Sequence, residues 1–327
     1  MSLDKFIVKS IGFNNCDVSK SVHVAFCCTA DYVRYAGVVI FSALNSSKRN
    51  FTFHIFSKDF FDSDKSKMQH MAKKYKCNIF LHFVNDEDLL EYNDPGEFSY
   101  ASYYRLFIPE FLGQYTDKFI YTDVDVCFLK DIGLLYDIDL KDYCAGVVEI
   151  QGDGHKSESK RVGVSRYFAS GGMLININKW IENKINDKII NELKQGINFK
   201  FPDMDILNIV LEEQVLFLDE KYQYQYSIAH SIDNVDNPQD VAIPYDVVIF
   251  HYTGSIKPWH ILAKNFKVAM PFLEVKQKSL WNEVPLVNFR SYKEYHKAAR
   301  LAKKQGSLKD MLYFYVKYSY EKIKKFI

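Results

Sequence analysis

The sequence contains five D-x-D pairs, and only one of them ends an apolar run. Asp123 and Asp125 follow Lys118-Phe119-Ile120-Tyr121-Thr122 and precede Val126-Cys127-Phe128, whereas Asp62/Asp64, Asp86/Asp88, Asp137/Asp139 and Asp203/Asp205 lie mostly in polar helical or loop settings. A strand that delivers two carboxylates to the carboxyl edge of a sheet puts them where open α/β sheets bind ligands. Half-burying such a pair without a cation is costly, so the pattern points to a divalent ion. An imidazole among the ligands favours Mn²⁺ over Mg²⁺ or Ca²⁺. His251 is the candidate: it follows the apolar run Val247–Phe250 and opens the stretch HYTGSIKPWH. In that stretch Gly254 permits close backbone approach and Lys257 offers charge to a phosphate. The first strand-to-helix turn, CCTADYVRY, lacks glycine, and no G-x-x-x-x-G-K occurs, so the backbone cradles of dinucleotide and P-loop folds are missing. If a nucleotide diphosphate binds, a carboxylate-held cation is the device left to neutralise it.

These groups need a scaffold that presents strand ends, and the hydrophobic pattern supplies one. Val22–Cys28 reads as a buried strand, and Val33, Ala36, Gly37, Ile40, Phe41 and Leu44 then recur at helical spacing. A second strand covers Phe51–Phe56. A helix capped by Asp62 or Ser63 follows, with Met68, Met71, Ala72 and Tyr75 on one face, and Cys77–Val84 is a third strand. Strands alternating with helices predict a largely parallel sheet covered on both sides. The pattern further predicts a helix over Tyr103–Leu112 that tolerates Pro109, a strand at Met173–Ile177, a short helix at Ile206–Leu211 and an apolar strand at Val247–Phe250 with His251 at its tip. The first 20 or so residues read as a polar lead, and the glycine-bearing segment Gln151–Ser165 as a long surface loop. Lys293–Lys304 and Leu308–Ile327 look helical, and the second mixes Tyr and Phe with lysines, as suits an anionic membrane face or a helix packed on the main domain.

Composition bounds the rest. With 42 Lys and Arg against 41 Asp and Glu, and 48% hydrophobic residues, the chain is globular and is no dedicated nucleic-acid binder. Its 23 Tyr and 26 Phe suit either sugar-stacking surfaces or an aromatic core. Six cysteines form no C-x-x-C pair, which argues against a zinc site or a disulfide framework and for a reducing compartment. The N-terminal MSLDKFIVKSIGFNN has no secretory-signal pattern and no run approaches a membrane span, so a cytoplasmic location is expected unless a surface holds the protein.

The segments FIYTDVDVCFL, RYFASGGMLININKW, FPDMDILN and FHYTGSIKPWH, in this order and spacing, resemble the family-8 retaining glycosyltransferases, and within them the bacterial transferases that add hexoses to the lipopolysaccharide core. The resemblance implies an α/β GT-A domain, Rossmann-like with a mostly parallel mixed sheet, over residues 21–275, between an N-terminal extension (1–20) and a basic, aromatic helical region (276–327). It implies that Asp123, Asp125 and His251 bind Mn²⁺, with Mg²⁺ as the alternative, bridging the diphosphate of a UDP-hexose. Gly254 and Lys257 would contact that diphosphate, Cys27, Thr29, Asp31 and Tyr32 would line the nucleoside pocket, and Val124 lies between the two ligand carboxylates. Arg105, Ala169, Ser170, Gly171, Asp203 and Met204 fall where the family holds the donor sugar, with Arg105, Asp203 and Met204 nearest the chemistry. The implied partners are the UDP-sugar (glucose or galactose), a lipopolysaccharide core acceptor and, through the C-terminal helix, the anionic cytoplasmic face of the inner membrane of a Gram-negative bacterium.

Three positions depart from the family pattern. Thr29 replaces a carboxylate that commonly pairs with uracil, Ala169 an asparagine that touches the sugar, and Met204 a glutamine beneath the anomeric centre. Neither Met nor Ala makes such hydrogen bonds, and one lost contact costs on the order of 1–3 kcal/mol. A UDP-sugar-binding protein with changed or lost turnover is therefore a second reading. A third is a haloacid-dehalogenase-like phosphatase with Asp123 as nucleophile and Asp125 as acid, although no later apolar strand ends in the second acidic pair that chemistry needs.

Overall fold

Val22–Cys27 (VHVAFC), Phe51–Ser57 (FTFHIFS) and Asn78–Val84 (NIFLHFV) lack strict alternation because both faces of these strands are covered. In a computed structural model, which describes residues 3–92, 95, 98–150 and 154–326, they are the strands β2, β3 and β4. The others are β1 (Ile7–Phe13), β5 (Lys118–Thr122), β6 (Val126–Phe128), β7 (Ala145–Glu149), β8 (Phe168–Asn176), β9 (Val215–Phe217), β10 (Tyr224–Tyr226) and β11 (Ile249–Tyr252). Among the described residues an eight-stranded mixed sheet runs β1-β4-β3-β2-β5-β8-β7-β9 and a three-stranded sheet β10-β11-β6. The run β4-β3-β2-β5 is parallel, while β1 and β8 pair antiparallel to their neighbours. The chain leaves β2 toward β3 on one side and returns to β5 on the other, which opens a crevice at the carboxyl ends of β2 and β5. This is the expected α/β architecture, a mixed sheet with a parallel run at its centre.

One face of the large sheet buries the helices Val33–Ser46, Asp62–Tyr75 and Met270–Lys278, and the other buries Ile108–Leu112, Ile177–Glu182, Ile185–Lys194 and Pro202–Val210. On the second face His23, His54 and His82 form a hydrogen-bonded row across β2, β3 and β4. His23 Nδ1 lies 3.1 Å from His54 Nε2 and His54 Nδ1 3.0 Å from His82 Nε2. The row ends on the Val18 carbonyl (3.0 Å) and the Ser10 hydroxyl (2.7 Å).

Several local expectations need correction. The lead segment is not structureless: Phe6 is buried and β1 adds to β4 as an edge strand, with backbone bonds that need no apolar alternation. The helix expected over Tyr103–Leu112 is two, Ala101–Tyr104 and Ile108–Leu112, because Pro109 lacks an N–H and starts the second turn instead of extending the first. Within Gln151–Ser165, residues 151–153 lie outside the described residues, and Gly154–Val162 is a helix. Ion pairs hold it: Arg161 reaches the buried Asp205 at 2.7 and 2.9 Å, and Glu158 bonds Arg161 and Lys200. Helix Asp62–Tyr75 takes Phe61, not Asp62 or Ser63, as its N-cap. The strand expected at Val247–Phe250 is Ile249–Tyr252, so His251 lies inside it.

The C-terminal helices Tyr292–Lys304 and Leu308–Phe326 form a hairpin. Lys297 and Arg300 anchor it through Asp233 of helix Ile228–Asn234. Phe314 and Tyr318 face inward against Phe289 and Tyr292. The outward face carries Leu308, Leu312, Val316, Tyr320 and Ile323, each at least 60% exposed. Among the described residues no helix is long and apolar enough to cross a membrane.

Candidate functional site

The D-x-D segment is the junction between the two sheets: β5 ends at Thr122, and β6 starts at Val126 in the smaller sheet. Antiparallel pairing of β6 with β11 sets Val126 opposite His251, and the Tyr252 N–H donates to the Asp125 carbonyl at 2.9 Å. On the other side the Asp123 N–H donates to the Gly171 carbonyl of β8 at 3.0 Å. The β5–β6 junction is thus held between β8 and β11. One ligand atom each from Asp123, Asp125 and His251 lies within 4.8 Å of the others.

Each carboxylate of the pair has its own cationic partner. Arg105 donates to Asp123 Oδ1 at 2.8 Å and to Ser170 Oγ at 3.1 Å, and its Nε lies 3.2 Å from Asp203 Oδ2. Burial opposes the Arg105 charge, but Asp123 and then Asp203 hold its pKa above the ordinary value. Tyr121, two residues before Asp123 on the same strand face, donates a 2.9 Å bond to Asp123 Oδ1, and burial pushes its own pKa well up. Asp125 is held by Lys257, which also donates to the Tyr252 carbonyl at 2.9 Å. Burial alone would raise the Asp125 pKa, but Lys257 and then His251 hold it below the carboxylate range. Asp203 shows the opposite balance: burial raises it and Arg105 only partly offsets that.

These residues fit a divalent cation. Asp125 Oδ1 is buried with no hydrogen-bond partner and lies 3.2 Å from His251 Nε2. A Cβ at Gly171 would stand 2.4 Å from His251 Cε1 and 2.6 Å from Asp123 Oδ2, so only glycine lets these ligands approach. Two carboxylates and an imidazole suit Mn²⁺ or a similar ion.

The other anticipated residues lie around this centre. Cys27 is buried at the end of β2, and Thr29 is exposed before the turn Ala30–Tyr32. Asp31, Tyr32 and Lys257 line one cavity of about 320 Å³, with Arg34, Trp259 and Arg290 also in its wall. Gly254 adopts φ +78°, which favours glycine in the turn after β11. Ala169, Ser170 and Gly171 lie in β8, and Ser170 Oγ donates to Asp203 Oδ2 at 3.1 Å. Met204 is half-buried in helix Pro202–Val210. The Val124 side chain packs into the core, which leaves its backbone for any ligand. All six cysteines are free thiols.

Sequence reasoning missed Tyr121, Arg290 and Gln223. The period-two spacing to Asp123 could have marked Tyr121. Arg290 and Gln223 reach the site only through tertiary packing.

The profile of Glycosyl transferase family 8 matches residues 23–263, and that of the family's C-terminal region matches 267–322. The chain belongs to glycosyl transferase family 8. It is 29% identical to a lipopolysaccharide 1,3-galactosyltransferase of Salmonella typhimurium, over 92% of this chain and 91% of the relative. It is 28% identical to a lipopolysaccharide 1,2-glucosyltransferase of Escherichia coli K12, over 89% of each. Among solved structures it superposes on the galactosyltransferase LgtC in complex with donor and acceptor sugar analogs, with TM-score 0.63 and 23% identity over 79% of this chain and 96% of that one. Family-8 membership overturns the phosphatase reading.

Proposed function

We propose that this family-8 protein transfers a hexose from a UDP-sugar to a lipopolysaccharide core oligosaccharide with retention, forming an α-glycosidic bond. The observation that carries the reading is the convergence of Asp123, Asp125 and His251 beside Lys257 and the cavity bearing Asp31 and Tyr32. The similarity to lipopolysaccharide galactosyl- and glucosyltransferases supports the acceptor class.

In this reading residues 21–275 form the catalytic unit, and Asp123, Asp125 and His251 hold Mn²⁺. That ion, when bound, would supply Lewis-acid charge to the departing UDP. Lys257 and Gly254 hold the diphosphate, while Cys27, Thr29, Asp31 and Tyr32 border the nucleoside. Arg105 fixes Asp123, Ser170 and Asp203 in one network, so that Asp203 and the β8 backbone at Ala169–Gly171 can orient sugar hydroxyls. Met204 contributes shape without a hydrogen bond. The deciding test is UDP release from a panel of UDP-sugars, with Mn²⁺ and with chelator, with and without truncated core lipopolysaccharide. Release with one donor that needs metal and rises with acceptor is expected. Mn²⁺-dependent UDP binding without release from any donor would overturn transfer and leave a binding protein.

The protein is assigned to the cytoplasmic face of the inner membrane. The exposed row Leu308, Leu312, Val316, Tyr320 and Ile323, with Lys309, Lys317 and Lys324 on the same helix, supports this. Leu312→Asp combined with Val316→Asp should reduce sedimentation with anionic liposomes several-fold, while each exposed change shifts stability by less than about 0.5 kcal/mol. Unchanged sedimentation would remove the membrane role.

A further inference from the structure

Gln223 immediately precedes β10 and is fully buried, yet no family motif of the sequence includes it. Its side-chain amide is packed against β8 and β11. One orientation satisfies all its contacts: the oxygen accepts from the Gly172 N–H at 2.9 Å and from His251 Nδ1 at 3.2 Å, and the nitrogen donates to the Gly172 and Ala169 carbonyls at 3.2 Å each. The opposite orientation sets oxygen against two carbonyls and nitrogen against an N–H, so the network excludes it.

This orientation has a chemical consequence for His251. The Gln223 oxygen can only accept, so the His251 ring carries a proton on Nδ1. Nε2, the other ring nitrogen, faces Asp125 Oδ1 at 3.2 Å and Asp123 Oδ2 at 3.9 Å. With Nδ1 committed to Gln223, Nε2 is the ring atom able to give its lone pair to a cation shared with Asp123 and Asp125. The amide also ties β8 to the same histidine. A Cβ at Gly172 would lie 3.1 Å from Gln223 Cγ and Cδ, so the glycine admits the amide as Gly171 admits the ligands.

We infer that Gln223 is a positioning residue for the cation site: it fixes the Nδ1–H tautomer and ring orientation of His251 and links them to the β8 backbone at Ala169 and Gly172. The inference rests on the metal reading above for its purpose, but its test is separable. Long-range proton–nitrogen correlation spectra of the metal-free full-length protein, with His251 assigned by comparison with His251→Gln, should show Nδ1 protonated. In Gln223→Met, which keeps the length and removes the acceptor, the tautomer should redistribute. Mn²⁺ affinity, read by electron paramagnetic resonance titration without nucleotide, should fall about 10- to 100-fold, as for other outer partners of metal-bound histidines. A bare Nδ1 in the unmodified protein would overturn the assignment even if the variant failed to fold. So would undiminished Mn²⁺ affinity in a folded Gln223→Met. If the unmodified protein bound no Mn²⁺, the metal reading would fail while the spectrum still decided the role of Gln223.

Discussion

Two buried clusters of ionisable groups sit on the same molecule and spend their hydrogen-bonding capacity in opposite ways. In the row His23–His54–His82 each ring nitrogen faces another ring, a carbonyl or a hydroxyl. Because the Val18 carbonyl can only accept, one neutral tautomer, protonated at Nε2, runs through all three rings to the Ser10 hydroxyl. Nothing is left over. In the Asp123, Asp125 and His251 cluster, two carboxylates and an imidazole nitrogen converge and Asp125 Oδ1 has no hydrogen-bond partner. A saturated network is architecture, whereas convergent unspent lone pairs mark a place for a ligand.

The sharpest way to break this contrast is to remove a ligand. Asp125→Asn should lower metal-dependent turnover on the order of 10²–10³-fold, and calorimetric titration should show Mn²⁺ binding lost with it. Retained Mn²⁺ affinity would place the ion elsewhere.

The histidine row makes a prediction of a different kind. Burial lowers the pKa of each ring, that of His82 to about 3 and that of His54 well below its ordinary value, where the neighbouring rings add to the effect. The unfolded chain binds protons below about pH 6.5 and the folded rings do not. Stability from the row is therefore complete above that pH and lost as pH falls toward 3, at about 1.4 kcal/mol per pH unit for each titrating ring. Denaturant midpoints between pH 7 and 4.5 should show this slope, and His54→Phe should flatten it by roughly one ring's share. An unchanged slope would mean that the rings already carry charge in the folded protein.

The smallest effect concerns packing at the cation site. Gly171→Ala pushes a methyl group against His251 and Asp123, so Mn²⁺ affinity should fall by about tenfold. Melting temperature should change little if the loss lies in ligand geometry; a large fall would assign Gly171 to the core.

Much of the site was legible because its parts are local. The strand-borne Asp123 and Asp125 and the stretch from His251 to Lys257 carry their chemistry in adjacent residues, and β2, β3 and β4 announce themselves by apolar runs. What stayed hidden depends on partners distant in sequence. β1 shows no alternation because β4 supplies its bonds. Helix Gly154–Val162 depends on Asp205 and Lys200. Gln223 acts on a histidine 28 positions later, and Arg290 enters the cavity wall from beyond the first family profile. Such roles leave no periodicity to read.

The pairing of Asp123 with Arg105 and of Asp125 with Lys257 also sets the sign of the local field. With Asp203 ionised, three carboxylates face two cations, a balance of minus one. A doubly charged nucleotide diphosphate approaching alone meets repulsion, whereas one divalent ion reverses the balance to plus one. On the proposed reading the cation therefore arrives first or together with the nucleotide. Its affinity for nucleotide should climb with metal concentration until the site saturates.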